Sequence, residues 1–294
     1  MNLCDINYVK KLMQRYQTGT KKSFGQNFLI NKSVPERIAY ESFSYHKQKN
    51  SDKSAVLEIG PGIGCLTYEL AREYDKVVAV EIDNSLIPIL NETLGEFDNV
   101  KVINEDFLKL NLDEFFEKEL SDCSVSVCAN LPYYITTPII MALLERARGK
   151  LTSITVMVQR EVADRLCATT KKGDYGAITA SIAYYGEAKK LFDVTPDNFL
   201  PPPKVTSSVV RIELYDKIPY EPKSEEMLFK TIQGAFSQRR KTLLNSLSAS
   251  FSSLSKDKLS SIITDCGFDL NIRGEKLTIG DYVNLSNEIL KELN

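Results

Sequence analysis

AVLEIGPGIG, residues 55–64, is an apolar run that ends on glycines at alternate positions, Gly60, Gly62 and Gly64. A buried strand that breaks into a glycine loop and passes straight into a helix, here over 65–73, opens a nucleotide-binding α/β unit. The glycines let backbone approach a ligand, and the helix N-terminus offers free N–H groups. A dinucleotide fingerprint needs its third glycine one residue later, as G-x-G-x-x-G, whereas this loop reads G-x-G-x-G with Glu58 ahead of it. The spacing argues against a nicotinamide cofactor.

Working outward, apolar runs predict strands over 76–82, 100–103, 124–129, 152–159 and 207–214, the last closing the sheet edge, with further strand signal over 178–185 and 188–194. Helices are expected over 31–44, 86–93, 112–119, 138–147 and 161–167. The alternation predicts an α/β domain: a Rossmann-like, mainly parallel seven-stranded sheet covered on both faces. Past Tyr215 the pattern changes to a Pro-containing linker and helices over 225–236, 239–248, 256–265 and 281–293, a small all-helical C-terminal domain. The expected domains are 1–216, with a basic N-terminal arm over 1–30, and 217–294.

Composition narrows the chemistry. With 37 basic and 39 acidic residues the net charge is −2, so whole-molecule electrostatics announces no nucleic-acid partner. The 6 cysteines show neither zinc spacing nor the density of a disulfide scaffold, and the single histidine, His46, sits in a polar stretch. His-based triads and multi-histidine metal sites are therefore excluded, no metal is expected, and His46 and the connector to Ser54 are expected to be solvated. No window approaches the roughly 18 apolar residues that span a bilayer, and 1–16 lacks a signal-peptide core. The expected setting is cytoplasmic, without a membrane.

Two acids follow the glycine loop at strand ends. Glu81 closes the second strand, where it could bind both hydroxyls of a ribose, and Asp106 follows the third, where it could accept from an adenine amine. Neither needs a pyrophosphate, so the set suits adenosine without phosphate: S-adenosyl-L-methionine. Downstream, VSVCANLPYY over 125–134 is an apolar strand stopped by an amide, a proline and two tyrosines. Such a turn offers Asn130 and the Leu131 carbonyl as acceptors for the two N6 protons of an adenine, with Tyr133 stacked on the base. Phe199, in NFLPPPKVTSSVV, is expected to cover the other face from a proline-stiffened loop. Basic groups at Lys21-Lys22, Arg160 with Arg165, Lys171-Lys172, Lys189-Lys190, Lys204 and Arg239-Arg240-Lys241 make RNA a plausible acceptor, with 238–241 opening a helix as a second contact.

These residues together closely resemble the small-subunit ribosomal RNA adenine dimethyltransferases of bacteria. FGQNFL (24–29), EIGPGIG (58–64), NLPYYITTPI (130–139), VQREVADRL (158–166), YGAIT (175–179), NFLPPPKVTSSVV (198–210) and FSQRRKTLLNSL (236–247) carry the likeness, which spans nearly the whole chain. The resemblance implies that Gln26, Asn27 and Leu29 close over the methionine part and ribose. It further implies that Gly60 and Gly62 touch the cofactor, that Glu81 holds the ribose and Asp106 the adenine, and that Asn130 reaches both cofactor and target base. Tyr133 and Phe199 would sandwich that base. The implied reaction makes N6,N6-dimethyladenosine at two adjacent adenosines of the 3′-terminal hairpin of 16S ribosomal RNA in the immature small subunit, through four transfers that leave S-adenosylhomocysteine. A monomer is expected. Alternatives are the large-subunit (23S) ribosomal RNA adenine methyltransferase of macrolide resistance, which PPPKVTSSVV and SQRRKTLLNSL disfavour, and a DNA adenine methyltransferase, which Leu131 and the helical tail disfavour. A non-catalytic small-subunit assembly factor is disfavoured by the cofactor acids and Asn130.

Overall fold

The computed structural model describes residues 2–19, 26–50, 52–147, 149–172, 174–238 and 240–293. Lys21, Lys22, the first two residues of FGQNFL and Arg239 lie outside them. The chain runs α1 (Ile6–Arg15), β1 (Phe28–Leu29), α2 (Ser33–Lys49), β2 (Ser54–Ile59), α3 (Cys65–Glu73), β3 (Lys76–Glu81), α4 (Ile87–Leu94) and β4 (Val100–Asn104). It continues through α5 (Leu112–Leu120), β5 (Ser124–Asn130), α6 (Thr136–Arg146), β6 (Leu151–Gln159), α7 (Arg160–Leu166), α8 (Ala177–Tyr185) and β7 (Gly186–Val194). Last come β8 (Phe199–Leu200), β9 (Ser207–Leu214), α9 (Glu225–Phe236), α10 (Leu243–Ser250), α11 (Lys256–Asp265) and α12 (Ile279–Leu293).

Every residue of β2 is buried, as expected of a central strand in a sheet covered on both faces. The main sheet has 7 strands in the order β4-β3-β2-β5-β6-β9-β7, parallel from β4 to β6, with β9 antiparallel to β6. β9 is therefore interior rather than the expected edge. Its SSVV run is buried, whereas β7 alternates charged, exposed positions with half-buried ones and takes the edge, where a solvated face is tolerated. A second, 2-stranded sheet pairs β1 with β8 in antiparallel fashion, Phe28 opposite Leu200 and Leu29 opposite Phe199.

Contacts divide the chain into one unit of residues 1–163 and 189–214 and another of 164–188 and 215–294. The single expected cut at 216/217 misses the transfer of 164–188 to the helical unit. The reason lies in α8, whose run AITASIAYY reads as a strand but forms a helix buried almost all round. A helix without a polar face has no 3.6-residue signature to betray it. Tyr184 meets Phe229 of α9 edge-on at 5.6 Å, Tyr185 stacks on the same ring at 5.6 Å, and the Tyr184 hydroxyl donates to Glu225 at 2.9 Å. α9 and α11 start where serine caps them, Ser224 accepting from Met227 N and Ser255 from Lys258 N. α10 likewise begins after its cap, Thr242, and Lys241 N donates to Gln238 O ahead of it, so Arg240 and Lys241 do not open the helix as expected.

The N-terminal arm is a docked helix. Asp5 caps α1 by accepting from Tyr8 N, Val9 and Leu12 are fully buried, and Arg15 and the Tyr16 hydroxyl both reach Glu92 at 2.6 Å. Of the connector expected to be solvated, His46 to Ser54, residues 47–49, 52 and 53 are exposed as expected, whereas His46 and Ser54 are buried. α2 runs on to Lys49 and buries His46 completely, one turn after Ser42 on the same face. The imidazole Nδ1 pairs with Ser126 Oγ of β5 at 2.8 Å, Tyr74 packs edge-on against the ring at 5.5 Å, and Nε2 has no partner among the described residues. Polar residues here make an internal face, which composition alone disguised as surface.

Two predictions follow from this packing. Burial lowers the His46 pKa below its ordinary 6.5, so the unfolded chain binds a proton that the fold rejects. Its contribution is complete above the unfolded value and is lost as pH falls below it, at about 1.4 kcal/mol per unit of separation. Unfolding free energies from urea titrations at about pH 7.5 and about pH 5.5 will therefore differ more in the native chain than in a His46→Gln chain. Gly64, the α3 N-cap, has φ +92°, and a Cβ there would stand 3.1 Å from Thr93 Oγ1. Gly64→Ala will cost about 1–2 kcal/mol from the left-handed backbone alone, read as a lower denaturation midpoint.

Candidate active site

The loop after β2 lies beside the end of β5 because the chain, having built outward through β3 and β4, crosses back over β2 to lay down β5. Glu58 is in register with Cys128. Ligands in such sheets bind beyond the C-terminal strand ends, at the point where strand order reverses. The pocket found there is lined by Gln26, Asn27 and Leu29 from the segment entering β1, by the glycine loop, by the ends of β3 and β4, and by residues from Asn130 to Ile135 with Ile139. All of it belongs to the first unit.

Gly60 and Gly62 hold φ +71° and +62°, backbone that side chains rarely adopt. At Gly62 a Cβ would come within 3.2 Å of the Phe28 ring, so its absence lets the loop pack against the segment carrying Asn27. Glu81 is 4% exposed and accepts at both oxygens, from Gly62 N at 3.1 Å and Asp83 N at 2.8 Å. Burial raises its pKa, against the pull of these amides. Asp83 in turn accepts from Gln26 Nε2 at 2.9 Å, tying the N-terminal segment to the residues around Glu81. Asp106 accepts from Leu108 N at 3.1 Å and faces Lys109 at 3.6 Å, leaving it at the pocket wall with its chain direction set.

Asn130 ends β5, half-buried, with Nδ2 donating to the Asn27 carbonyl at 3.5 Å. That contact turns the amide so that Oδ1 is the end available to an acceptor base. Leu131 is buried and its amide donates to Met157 O at 3.2 Å, which anchors the turn to β6. Tyr133 is half-buried, its hydroxyl 2.8 Å from Ser207 Oγ, and burial raises its pKa, so the ring stays a neutral platform.

Phe199 is not brought to the pocket wall. It is 2% exposed, packs in the hydrophobic core, and stands opposite Leu29 in the small sheet. A proline-rich loop can be read from sequence, but the short pairing that turns its aromatic inward cannot. Phe199 and its neighbours instead hold the cofactor-side segment in place: Ile30 N donates to Asn198 O at 2.9 Å, and Asn31 Nδ2 to Asn198 Oδ1 at 2.8 Å. Sequence reading also missed Ile82 and Leu108, apolar yet 48% and 37% exposed at the pocket rim, and Glu58, buried in its wall. The signal for the first two was an isoleucine immediately after a strand-end acid and a leucine two residues past another.

The residues present fit a cationic adenosine. Two carboxyls, Glu58 and Glu81, are buried in the pocket wall, near enough for Glu81 to raise the Glu58 pKa, and Glu58 Oε2 has no hydrogen-bond partner among the described residues. Such a wall offers a pyrophosphate no positive partner and can give up a proton to favour a sulfonium or ammonium. No group of histidine, cysteine and acidic residues among the described residues could hold a metal ion, and none of the described helices is long and apolar enough to cross a membrane.

Known proteins agree with this geometry. The family model for ribosomal RNA adenine dimethylase matches residues 18–291. The ribosomal RNA small subunit methyltransferase A of Alkaliphilus oremlandii is 44% identical over 284 residues, covering 97% of this chain and 96% of that protein. The protein of the same name from Clostridioides difficile is 42% identical, covering 98% and 96%. Among solved structures, a dimethyladenosine transferase from Plasmodium falciparum superposes with a TM-score of 0.72 at 23% identity, covering 90% of this chain and 98% of that one. The 23S rRNA methyltransferase ErmE superposes at 0.65 and 24%, covering 89% and 99%. At those identities the two structures speak for the fold, whereas the family match and the longer identities settle membership. The chain belongs to the ribosomal RNA adenine dimethylase family, and is a methyltransferase with S-adenosyl-L-methionine as its cofactor.

Proposed function

We propose that the chain methylates N6 of two adjacent adenosines in the 3′-terminal hairpin of 16S ribosomal RNA, giving N6,N6-dimethyladenosine in four transfers within the immature small subunit, as a cytoplasmic monomer. The observation that carries the reading is the convergence of Asn130, Glu81 and Asp106 on one pocket at the strand-order reversal. The names of the curated relatives, small-subunit methyltransferases, support the choice of subunit.

The cofactor supplies an electrophilic methyl on a sulfonium. Glu81 would accept from the ribose hydroxyls in place of the Gly62 amide it now holds, and Asp106 from the adenine amine, with Ile82 and Leu108 covering the faces of that ring. On the acceptor side, Asn130 Oδ1 and the Leu131 carbonyl would take the two N6 protons of the target base. This localises the nitrogen lone pair, which otherwise delocalises into the ring, towards the methyl. Tyr133, held by Ser207, would carry the base by stacking. With Phe199 turned inward, the opposite face of the base falls to another group, and Phe199 acts by bracing Leu29.

The helical unit is the proposed second RNA contact. Arg240 and Lys241 are exposed just ahead of α10, while Lys204 is exposed on the proline loop of the first unit. Several other basic residues are committed within the protein: Lys189 to Glu213 at 2.6 Å, Arg165 to Asp174 at 3.0 Å, and Arg160 to Asp193. RNA affinity therefore rests on fewer cations than the sequence offers.

Labelled S-adenosylmethionine incubated with small subunits lacking the two dimethyladenosines should place label at both adenosines. No label there despite cofactor binding, or label only on 23S RNA in a parallel incubation with unmodified large-subunit RNA, would reject the reading. Asn130→Ala should slow transfer by about 10²–10³-fold, the usual loss for one preorganised electrostatic contact, while the cofactor dissociation constant moves far less. Asp106→Ala should weaken cofactor binding roughly tenfold by calorimetry, the worth of one charge-assisted hydrogen bond.

A further inference from the structure

Glu58 stands in the pocket wall near the end of β2, 1% exposed, with Oε2 unpartnered among the described residues. The groups that face it are Cys65 and Thr67 from α3, Glu81 from β3 and Cys128 from β5. None is a cation. Both thiols are pushed towards their protonated forms, Cys65 chiefly through its contact with Cys4 and Cys128 chiefly by burial, with Glu58 adding to each. A buried carboxyl in such company either keeps a proton or waits for a positive charge. Burial, opposed by Thr67 and reinforced by Glu81, pushes Glu58 up to about 8.

The ligands that exchange in this pocket differ by one charge. S-adenosylmethionine carries a sulfonium, and S-adenosylhomocysteine a neutral thioether in its place. We propose that Glu58 senses that charge: it is a neutral acid in the empty and product-loaded pocket, and a carboxylate when a sulfonium is bound, its proton passing to solvent. The proposal rests on the S-adenosylmethionine reading of the pocket and does not depend on which RNA is methylated. It assigns to this chain a way of telling cofactor from spent product that contact shape, nearly the same for both, does not provide. Because the carboxylate is the form that favours the sulfonium, preference for cofactor over product should grow with pH, by up to about tenfold per pH unit below the empty-pocket value.

The test is titration calorimetry of the full chain with each ligand near pH 7, in phosphate and in Tris, whose different ionisation heats report protons released. The α-amino group of each ligand also titrates, so the quantity read is the difference between the native and Glu58→Gln chains. The native chain should release about one proton more per S-adenosylmethionine bound than the variant, and no such excess with S-adenosylhomocysteine. Equal release by the two chains, or the same excess with both ligands, overturns the proposal. If the variant does not fold, the native chain decides alone. With each free ligand's ionisation subtracted, the ratio of the two affinities must rise between about pH 6 and about pH 8, and a flat ratio overturns the proposal. Absence of any S-adenosylmethionine binding by a folded native chain would overturn the cofactor reading itself.

Discussion

β2 pairs in parallel with β3 on one side and β5 on the other, so the polypeptide, after building outward to β4, has to return across its own first strand. That crossing leaves a crevice at the C-terminal strand ends which no connection fills. Glu58, the glycine loop, Glu81 and Asn130 are separated by up to 72 residues in sequence, yet each comes from the end of a strand bordering that crevice. The site is a consequence of strand order before it is a consequence of any side chain.

Electrostatics then selects what the crevice accepts. Glu81 is compensated by two backbone amides, while Glu58 is left with an unpartnered oxygen in a fully buried position. Interiors usually remove such groups, because a buried unpaired acid costs stability. Its retention makes sense where the intended ligand is positively charged. The same wall disfavours a dinucleotide, because its carboxyls offer a pyrophosphate no positive partner, and the G-x-G-x-G spacing points the same way.

The cofactor side is held from the N-terminus by several weak ties rather than one strong one. Arg15 and Tyr16 grip Glu92, Gln26 reaches Asp83, and β1 pairs with β8, so that Gln26 and Asn27 are presented to the pocket from two anchored ends. The side-chain ties are exposed or half-buried and individually modest, whereas the β1–β8 pairing is buried.

Much of this was legible along the chain. The glycine loop, the strand-end acids and the NLPYY turn each announce themselves, because their chemistry is local: a backbone that must bend, a carboxylate at a strand end, an amide before proline. Their residues lie where periodicity and turn signals put them. Phe199, His46 and α8 were misplaced for one shared physical reason. Whether an aromatic faces a ligand or a core, whether a polar helix face is wet, and whether an apolar run coils or extends depend on what lies opposite. Leu29 opposite Phe199, Ser126 opposite His46, and Phe229 against Tyr184 and Tyr185 are contacts over 44 to 170 residues. Local order and the places of the glycine loop, the strand-end acids and the NLPYY turn are thus written in short stretches of sequence, while burial and the partition of the chain into units are settled by packing, since only packing brings distant residues within reach of one another.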